Sequence, residues 1–508
     1  MNKILKTSLT ILGILFFCIL LKSGVKFYNV VGVVGLYGSV YYFMTLNSEG
    51  IENFYLKEIM TVLISYNLQK MSYILHKEVY KNKLFLYTNI IMICFFCILF
   101  IYNLFKNKKI SLKNILDLGY EFLIINIPFC VVRGRGTKLV MIFILVLIIK
   151  QIYNKEIIFD KNLKNIYISI IFLILFSTTS FIGNDITDYK VDHYMNYIKN
   201  LLFLLLFFQI KFSNDTLKKI LYVGISTSLL RIIPIIILFL KNGNFSFRVG
   251  YENPNVWALE AVLWGLIFLY LILFEKKIEY IIMYFLYILG LYLSGSRGGI
   301  LAFIITNLIL LIYKYKSKLK IIAIIGILGI GIIFTVLKTN NRISYTYNLI
   351  KNEKKLDNSS KIRLVIYKEA FEQFKIKPIN GIGFEGYREF SIKRHEKEFP
   401  QMSYIEQNAY TQWHTHNNLL DILSSTGILG FIAYISTLYF ILKKIYISKK
   451  NEMKTLVILM ILAYEICGLV DASTHYYDLQ LFLYLIIGLY IAQTTPKVNF
   501  LKKEKLEQ

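Results

Sequence analysis

Proline, cysteine and charged residues are all scarce in this sequence of 508 residues. Only 18% of the residues are charged, which is well below the share in ordinary soluble domains, and only 6 are proline. This composition argues against a soluble globular enzyme and against a disordered chain. The 5 cysteines are scattered, and Cys94 and Cys97 lie in an apolar run without a second pair. That pattern argues against a disulfide scaffold and favours packing over a redox or zinc site.

Apolar residues are abundant instead, at 56% of the chain with a mean hydropathy of +0.53. Runs such as 321–337 approach the roughly 20 residues that a helix needs to cross about 30 Å of hydrocarbon. The sequence therefore predicts an all-α polytopic membrane protein. The first run follows Lys3 and Lys6. We interpret it as a first helix and not as a cleaved signal peptide, because no small-residue cleavage site follows.

We predict about 14 transmembrane spans, two more or fewer, since marginal spans and boundaries are the weakest inferences. The segments 27–46 and 57–75 are the most uncertain. The candidate segments lie near residues 4–21, 27–46, 57–75, 84–105, 115–132, 137–153, 164–182, 193–210, 217–240, 256–274, 278–294, 299–313, 320–337, 418–442, 454–472 and 476–494.

The net charge of +26 would suggest nucleic acid for a soluble protein, but here lysines in short loops explain it. The positive-inside rule places the lysine-rich loops and the tail in the cytoplasm, and we expect no nucleic-acid partner. We divide the chain into N-terminal spans at 1–240, further spans at 241–337, one large extracytoplasmic loop at 338–417, and C-terminal spans with the tail at 418–508. Arg133 and Arg135 fall on the outer side. Either a span upstream is miscounted or these arginines meet an anionic ligand.

The large outer loop shows helical patterning. Apolar residues recur at spacings of three and four, which is the pattern of one helix face. These residues are Ile362, Val365, Ile366, Ala370, Phe371 and Phe374. Pro378 and Gly381 then predict the end of the helix. We therefore expect a partly helical loop.

Arg297 lies in Ser294-Gly-Ser-Arg-Gly-Gly299, between two apolar spans. Glycines let backbones approach closely, and a guanidinium can grip a phosphate with two parallel hydrogen bonds. The alternative is an arginine that extends to the membrane surface. The local sequence does not decide between these two interpretations.

The segment Trp413-His-Thr-His-Asn-Asn418 ends the outer loop and begins the span at 418–442. Asn417 or Asn418 can cap that helix, so His416 would lie at the positive end of its dipole as a neutral imidazole. Such an imidazole can accept a proton from a hydroxyl. The alternative is an ordinary surface histidine. A metal site at His414 and His416 lacks a third ligand at a suggestive spacing.

Three other features do not by themselves indicate a functional site. Asn253-Pro-Asn255 suits a helix cap followed by the first turn. Arg363 lies on the patterned helix, where an arginine is usually solvated. The segment 381–386 resembles a dinucleotide fingerprint only loosely and follows no clear strand.

In combination, these motifs resemble the O-antigen ligase and O-antigen polymerase superfamily. His416-Asn417, nine residues, and then Gly427-Ile-Leu-Gly430 match a pattern of that family. The other motifs precede it in the expected order, and the resemblance covers about residues 245–445. It implies an integral-membrane glycosyltransferase whose donor is a glycan on undecaprenyl pyrophosphate.

The resemblance also implies the roles of individual residues. Arg297 and Arg363 would hold the pyrophosphate, and His416 would deprotonate or orient the acceptor hydroxyl, with inversion at the anomeric carbon. We expect the remaining substrate contacts at Asn253, Asn255, Ser296, His414 and Asn417. Neither a metal nor a cofactor is expected.

Our leading hypothesis is a polymerase that joins undecaprenyl-pyrophosphate-linked repeat units on the outer face of the bacterial cytoplasmic membrane. One alternative is a ligase that transfers the glycan to lipid A core or another acceptor. An alternative of a different class is a lipid-linked oligosaccharide flippase. The expected partners are the lipid-linked glycan, an acceptor glycan or lipid, membrane lipids, and a flippase and chain-length regulator.

Overall fold

The computed structural model describes residues 83–106, 161–208, 253–316, 356–448 and 451–494, together with some single positions outside these ranges. The predicted spans near 4–21, 27–46, 57–75, 115–132, 137–153, 217–240 and 320–337 lie outside these continuous ranges, as do Arg133 and Arg135. The described residues form helices and turns and contain no strand. The prediction of an all-α chain is confirmed for this part.

The chain divides into two compact units. The first contains helix α1, which spans Lys83–Lys106. The second comprises residues 157–211, 252–277 and 283–508 and carries all the predicted site residues. The helices that follow α1 are α2 Lys164–Thr179, α3 Asp188–Phe207, α4 Pro254–Leu273, α5 Ile281–Ser294, α6 Arg297–Tyr315, α7 Asn358–Ile376, α8 Tyr387–Arg394, α9 Tyr404–Tyr410, α10 Asn418–Ile447, α11 Glu452–Gly468 and α12 Tyr477–Thr494.

Four of the described helices, α4, α6, α10 and α12, are long and apolar enough to cross a membrane. They coincide closely with the spans predicted at 256–274, 299–313, 418–442 and 476–494. Helices α2 and α5 are apolar but shorter. The count of about 14 spans stays a prediction.

Helix α4 is the innermost of the four, with 78% of its apolar window buried. It is apolar on every side, which is typical of a helix enclosed by others. Helices α6 and α11 pack against α4 and against each other, α10 packs against α2, and α12 packs against α3. The packing of α4 against α6 brings the N-termini of these two helices, which carry the predicted residues Asn253, Asn255, Ser296 and Arg297, into one region.

Helices α7, α8 and α9 form a small core of their own around Ile366, Ala370 and Tyr387. The predicted apolar face of α7 is wrong at Phe371, which is 45% exposed. Glu369 is buried instead. Its carboxylate accepts hydrogen bonds from Arg394 and His395, both at 3.1 Å. A buried carboxylate needs hydrogen-bond donors, and here Arg394 at the end of α8 and His395 just after it supply them.

Helix α10 is broken at Gly427, whose φ of 67° lies in the left-handed region. The segment after α7 fills the break. The N–H of Ile382 donates to the carbonyl of Ser424 at 2.9 Å, and the N–H of Ile428 donates to the carbonyl of Pro378 at 2.8 Å. A Cβ on Gly427 would lie 2.2 Å from the Ile379 carbonyl oxygen. Gly427 thus lets the segment 378–382 dock directly onto the helix backbone.

Candidate active site

Arg297 and Arg363 line the same cavity, which has a volume of about 320 Å³. Arg297 comes from the start of α6 and Arg363 from the second turn of α7. Among the described residues, no hydrogen bond or ion pair engages the guanidinium of the half-buried Arg363. The cavity therefore presents a cationic group with several unused donors, which is suited to an anion.

The glycine-rich motif places Arg297 at the cavity. The hydroxyl of Ser296 accepts a hydrogen bond from the N–H of Gly299 and so caps α6. A Cβ on Gly298 would lie 1.9 Å from the Val470 side chain, so this glycine lets the turn after α11 approach the helix. Because Val470 lines the cavity, the next residue, Asp471, lies close to it.

Arg297 is partly neutralised by a residue that the sequence analysis did not single out. Its Nη1 lies 3.2 Å from Asp357 Oδ1 and 3.3 Å from Ser360 Oγ. Burial would raise the pKa of Asp357, but hydrogen bonding from Ser360 and the charge of Arg297 lower it. An anion that binds Arg297 therefore meets a guanidinium already oriented by a carboxylate.

The two asparagines of the Asn253-Pro-Asn255 motif differ in position. Asn255 lines the cavity and accepts a hydrogen bond from the Ser296 hydroxyl at 2.8 Å. Asn253 caps α4, as predicted, and donates to the Tyr476 hydroxyl at 3.3 Å. Asn255 and Ser296 thus line the same cavity as the two arginines, whereas Asn253 does not line it.

His416 is paired with a buried carboxylate. Its Nδ1 lies 2.7 Å from Asp471 Oδ1, and its Nε2 lies 3.3 Å from Gln412 Oε1. Burial would raise the pKa of Asp471, but hydrogen bonds from His416 and from the Tyr476 hydroxyl hold it well below its ordinary value. When Asp471 accepts the proton of Nδ1, Nε2 is the unprotonated nitrogen, and it can take a proton from a substrate that replaces Gln412 beside it, as in hydrolase triads. The prediction from the helix dipole alone omitted this partner.

Tyr367 connects the histidine segment to the cavity. Its side chain lines the cavity, and its hydroxyl donates to the carbonyls of His416 at 3.3 Å and Leu469 at 3.2 Å. His416 itself is not among the lining residues. Its φ of 52° turns the backbone sharply just before α10. His416 therefore adjoins the cavity across Tyr367.

The two other residues predicted from the histidine motif are not among those that line the cavity. Asn417 is the N-cap of α10, and its amide donates to the Leu469 carbonyl at 3.0 Å. The ring of His414 lies between those of His416 and His475, at centroid distances of 4.4 and 4.9 Å. Burial, helped by the two neighbouring histidines, lowers the pKa of His414 to about 4. Both residues shape the loop that carries His416.

A second charged network braces this loop. His475 lies 2.7 Å from both Glu385 and Asp421, and His193 lies 2.9 Å from Glu385. Burial opposes the charged form of His475, but the two carboxylates raise its pKa well above the ordinary value. Asp421 also accepts a hydrogen bond from the N–H of Thr415 at 3.1 Å. The network thus ties the loop to α3, α10 and the turn before α12.

Two groups in the described part of the chain have donor sets that suit a metal ion. One is His414, His416 and Asp471, and the other is His193, Glu385 and His475. In both groups, hydrogen bonds already pair imidazole nitrogens with carboxylate oxygens. Five residues of the site were not predicted from the sequence, namely Asp357, Tyr367, Glu385, Asp421 and Asp471.

Comparison with known proteins gives two findings. Residues 282–435 match the family model described as O-antigen ligase. A protein of Rickettsia typhi named as a "putative polysaccharide ligase" is 25% identical over 309 residues, which cover 59% of this chain and 74% of the relative. The predicted resemblance to the O-antigen ligase superfamily is confirmed. Both findings name ligases, and they favour that alternative over the polymerase placed first in the sequence analysis.

Proposed function

We propose that this chain, as a member of the O-antigen ligase superfamily, transfers a glycan from a polyprenyl diphosphate to an acceptor hydroxyl. The observation that carries the proposal is the pair of guanidinium groups, Arg297 and Arg363, lining one cavity beside the His416–Asp471 pair. In the reaction, the acceptor oxygen forms a bond to the anomeric carbon. The bond from that carbon to the phosphate oxygen breaks, and the lipid diphosphate leaves.

The arginines would bind the diphosphate and stabilise the negative charge that grows on it as the bond breaks. Guanidinium groups match phosphate oxygens with paired hydrogen bonds and remain charged at every physiological pH. Donors that are fixed in place before the reaction stabilise such charge more effectively than water does. Arg363 would contribute most, because Arg297 already shares its charge with Asp357.

The proton of the acceptor hydroxyl would move to Nε2 of His416. Asp471 would hold Nδ1 and stabilise the resulting imidazolium. Attack from the face opposite the diphosphate inverts the anomeric carbon. This chemistry uses residues of the chain alone, and the absence of a metal requirement stays a prediction.

The lining of the cavity also suits a lipid carrier. Leu356 and Leu364 lie beside the arginines and are 40% and 56% exposed. Exposed leucines next to guanidinium groups fit an amphiphile that has a charged head and an apolar tail. This supports undecaprenyl diphosphate, or a similar lipid, as the carrier. An extracytoplasmic site in the cytoplasmic membrane and cooperation with a flippase and a chain-length regulator are further parts of the proposal.

The test is a transfer assay with purified full-length protein, lipid-linked glycan and acceptor. One transfer to a different acceptor would identify a ligase, a ladder of products would identify a polymerase, and no transfer would contradict both. We expect Arg297→Ala, Arg363→Ala and His416→Ala each to reduce transfer at least about 100-fold, which is typical for removal of one catalytic group.

Lys368→Ala is the matched control for Arg363→Ala. Lys368 lies on the same helix and is exposed, so its loss removes a positive charge without changing the cavity. We expect nearly normal transfer in this variant. Normal transfer in both arginine variants would contradict the proposed diphosphate site.

A further inference from the structure

A row of aromatic side chains adjoins the His416 loop on elements that do not line the diphosphate cavity. The ring of Trp413 lies 5.0 Å from Tyr189, Tyr189 lies 4.3 Å from His193, and His193 lies 5.6 Å from Tyr477. We refer to these four residues as the aromatic row. Trp413 is 50% exposed and Tyr189 is 40% exposed. Large exposed rings beside a reaction centre are typical of a binding surface.

A guanidinium accompanies the row. The Arg388 side chain lies over the Trp413 ring, 4.2 Å from its centroid. Within the described residues it forms no ion pair, and it is half-buried. Arg388 thus covers one face of the Trp413 ring and offers hydrogen-bond donors beside it. A sugar ring needs this combination, because its C–H bonds stack on the negative face of an aromatic ring while its hydroxyls accept hydrogen bonds.

The aromatic row lies close to His416, the proposed base. Trp413 and His416 are three residues apart, so their Cα atoms are at most about 11 Å apart. Gln412, the neighbour of Trp413, contacts His416 Nε2 at 3.3 Å. A sugar on Trp413 would therefore lie within reach of the nitrogen that takes up the proton.

The cavity and the aromatic row come from different elements of the fold. The cavity with the arginines is built from the ends of α4, α6 and α7 and the turn at Val470. The aromatic row comes from α3, the His416 loop and the start of α12, and Arg388 comes from α8. His416 adjoins the cavity through its carbonyl, which accepts a hydrogen bond from Tyr367, and it lies three residues after Trp413 of the row.

We propose that Trp413, Tyr189 and Arg388 form the subsite for the acceptor saccharide, a pyranoside whose ring stacks on the face of Trp413 opposite Arg388 and whose hydroxyl or carboxylate oxygens accept hydrogen bonds from Arg388 at the rim of the ring. The identification of this saccharide as the acceptor rests on the proposed transferase function. The binding of a pyranoside at Trp413 does not.

Tryptophan fluorescence tests the binding directly. Of the 3 tryptophans, Trp257 and Trp264 are 4% and 3% exposed, so Trp413 is the residue that an aqueous quencher reaches. The probes are two water-soluble oligosaccharides from cells that make this protein. One is a repeat-unit fragment of the surface polysaccharide, and the other is the glycan of its membrane anchor.

We expect at least one probe to protect purified full-length protein from acrylamide quenching in a saturable manner. His416→Ala should retain this protection because the ring of the base is not part of the subsite. Arg388→Ala keeps the reporter and should weaken binding at least tenfold. The probe that binds distinguishes a growing polysaccharide from an anchor glycan as the acceptor. If neither probe gives saturable protection, the subsite is wrong.

Kinetics give the second readout. We expect Trp413→Ala to raise the acceptor KM at least tenfold while the donor KM changes less than about threefold. Trp413→Phe should restore most of the affinity because it retains an aromatic face. Tyr404→Ala is the control, since Tyr404 is 69% exposed on α9 and lies outside the row.

The two proposals fail in different ways. Saccharide protection without any glycan transfer would support the subsite and contradict the transferase. Active transfer with an unchanged acceptor KM in Trp413→Ala would contradict the subsite and leave the transferase intact.

Discussion

Replacing Asp471 by asparagine tests the catalytic pairing with little change in shape. Asp471 is 2% exposed and accepts hydrogen bonds from His416, the Tyr476 hydroxyl and the N–H of Ala472. Asparagine keeps one acceptor oxygen but loses the negative charge. His416 then has no buried carboxylate to stabilise its imidazolium or fix its tautomer.

We expect Asp471→Asn to lower kcat by about 10²–10⁴-fold, the range for a positioned general base, which corresponds to about 2.7–5.5 kcal/mol. The donor KM should change less than about threefold, because Asp471 does not line the arginine cavity. The assay is transfer at saturating donor and acceptor with purified protein, and thermal unfolding verifies that the variant folds.

Asp185→Asn is the matched control, since Asp185 is exposed in the turn before α3. It should retain nearly full activity. A kcat for Asp471→Asn within about fivefold of the wild type, in folded protein, would refute the reasoning. Bond breaking would then proceed without help from this base.

The remaining predictions concern the fold, the phosphate contact and pH. Gly427→Ala should lower the melting temperature markedly. It forces a Cβ into the left-handed region, which costs about 1–2 kcal/mol, and places it 2.2 Å from the Ile379 carbonyl oxygen. Arg363→Lys should raise the donor KM at least about tenfold although the charge is kept, because an ammonium lacks the paired donors of a guanidinium; an unchanged KM would show that charge alone suffices. For His414, whose pKa falls to about 4 on folding, the unfolded chain takes up the proton first as pH drops below about 6.5, so stability declines between these values by about 3 kcal/mol. His414→Gln should remove that decline from the pH dependence of chemical unfolding, and an unaltered profile would contradict the assignment.

Local sequence signals predicted the helices well. Long apolar runs gave α4, α6, α10 and α12, because a helix that enters hydrocarbon must be apolar along its whole length. Capping residues also act locally: Asn253 caps α4 as predicted, and of the two predicted candidates, Asn417 and Asn418, it is Asn417 that caps α10. These predictions succeed because the residues that determine a helix or its cap lie within one or two helical turns of it.

Partners that come from distant segments could not be predicted in this way. Asp471 lies 55 positions after His416, and nothing in the pattern around it indicates the pairing. The burial of Glu369 and the exposure of Phe371 depend on where α8 and α9 pack. Gly427 resembles an ordinary helix glycine until the Pro378 segment is seen to fill the break. Each of these features is decided by tertiary contacts, which propensity and periodicity do not contain.

The central claim is that two guanidinium groups hold one diphosphate beside His416. The most direct measurement is a cryo-electron microscopy structure of the purified protein with undecaprenyl diphosphate bound. We predict phosphate oxygens about 2.7–2.9 Å from guanidinium nitrogens of both Arg297 and Arg363, with His416 Nε2 facing the adjoining space. A diphosphate bound elsewhere, or one that contacts neither arginine, would contradict the account.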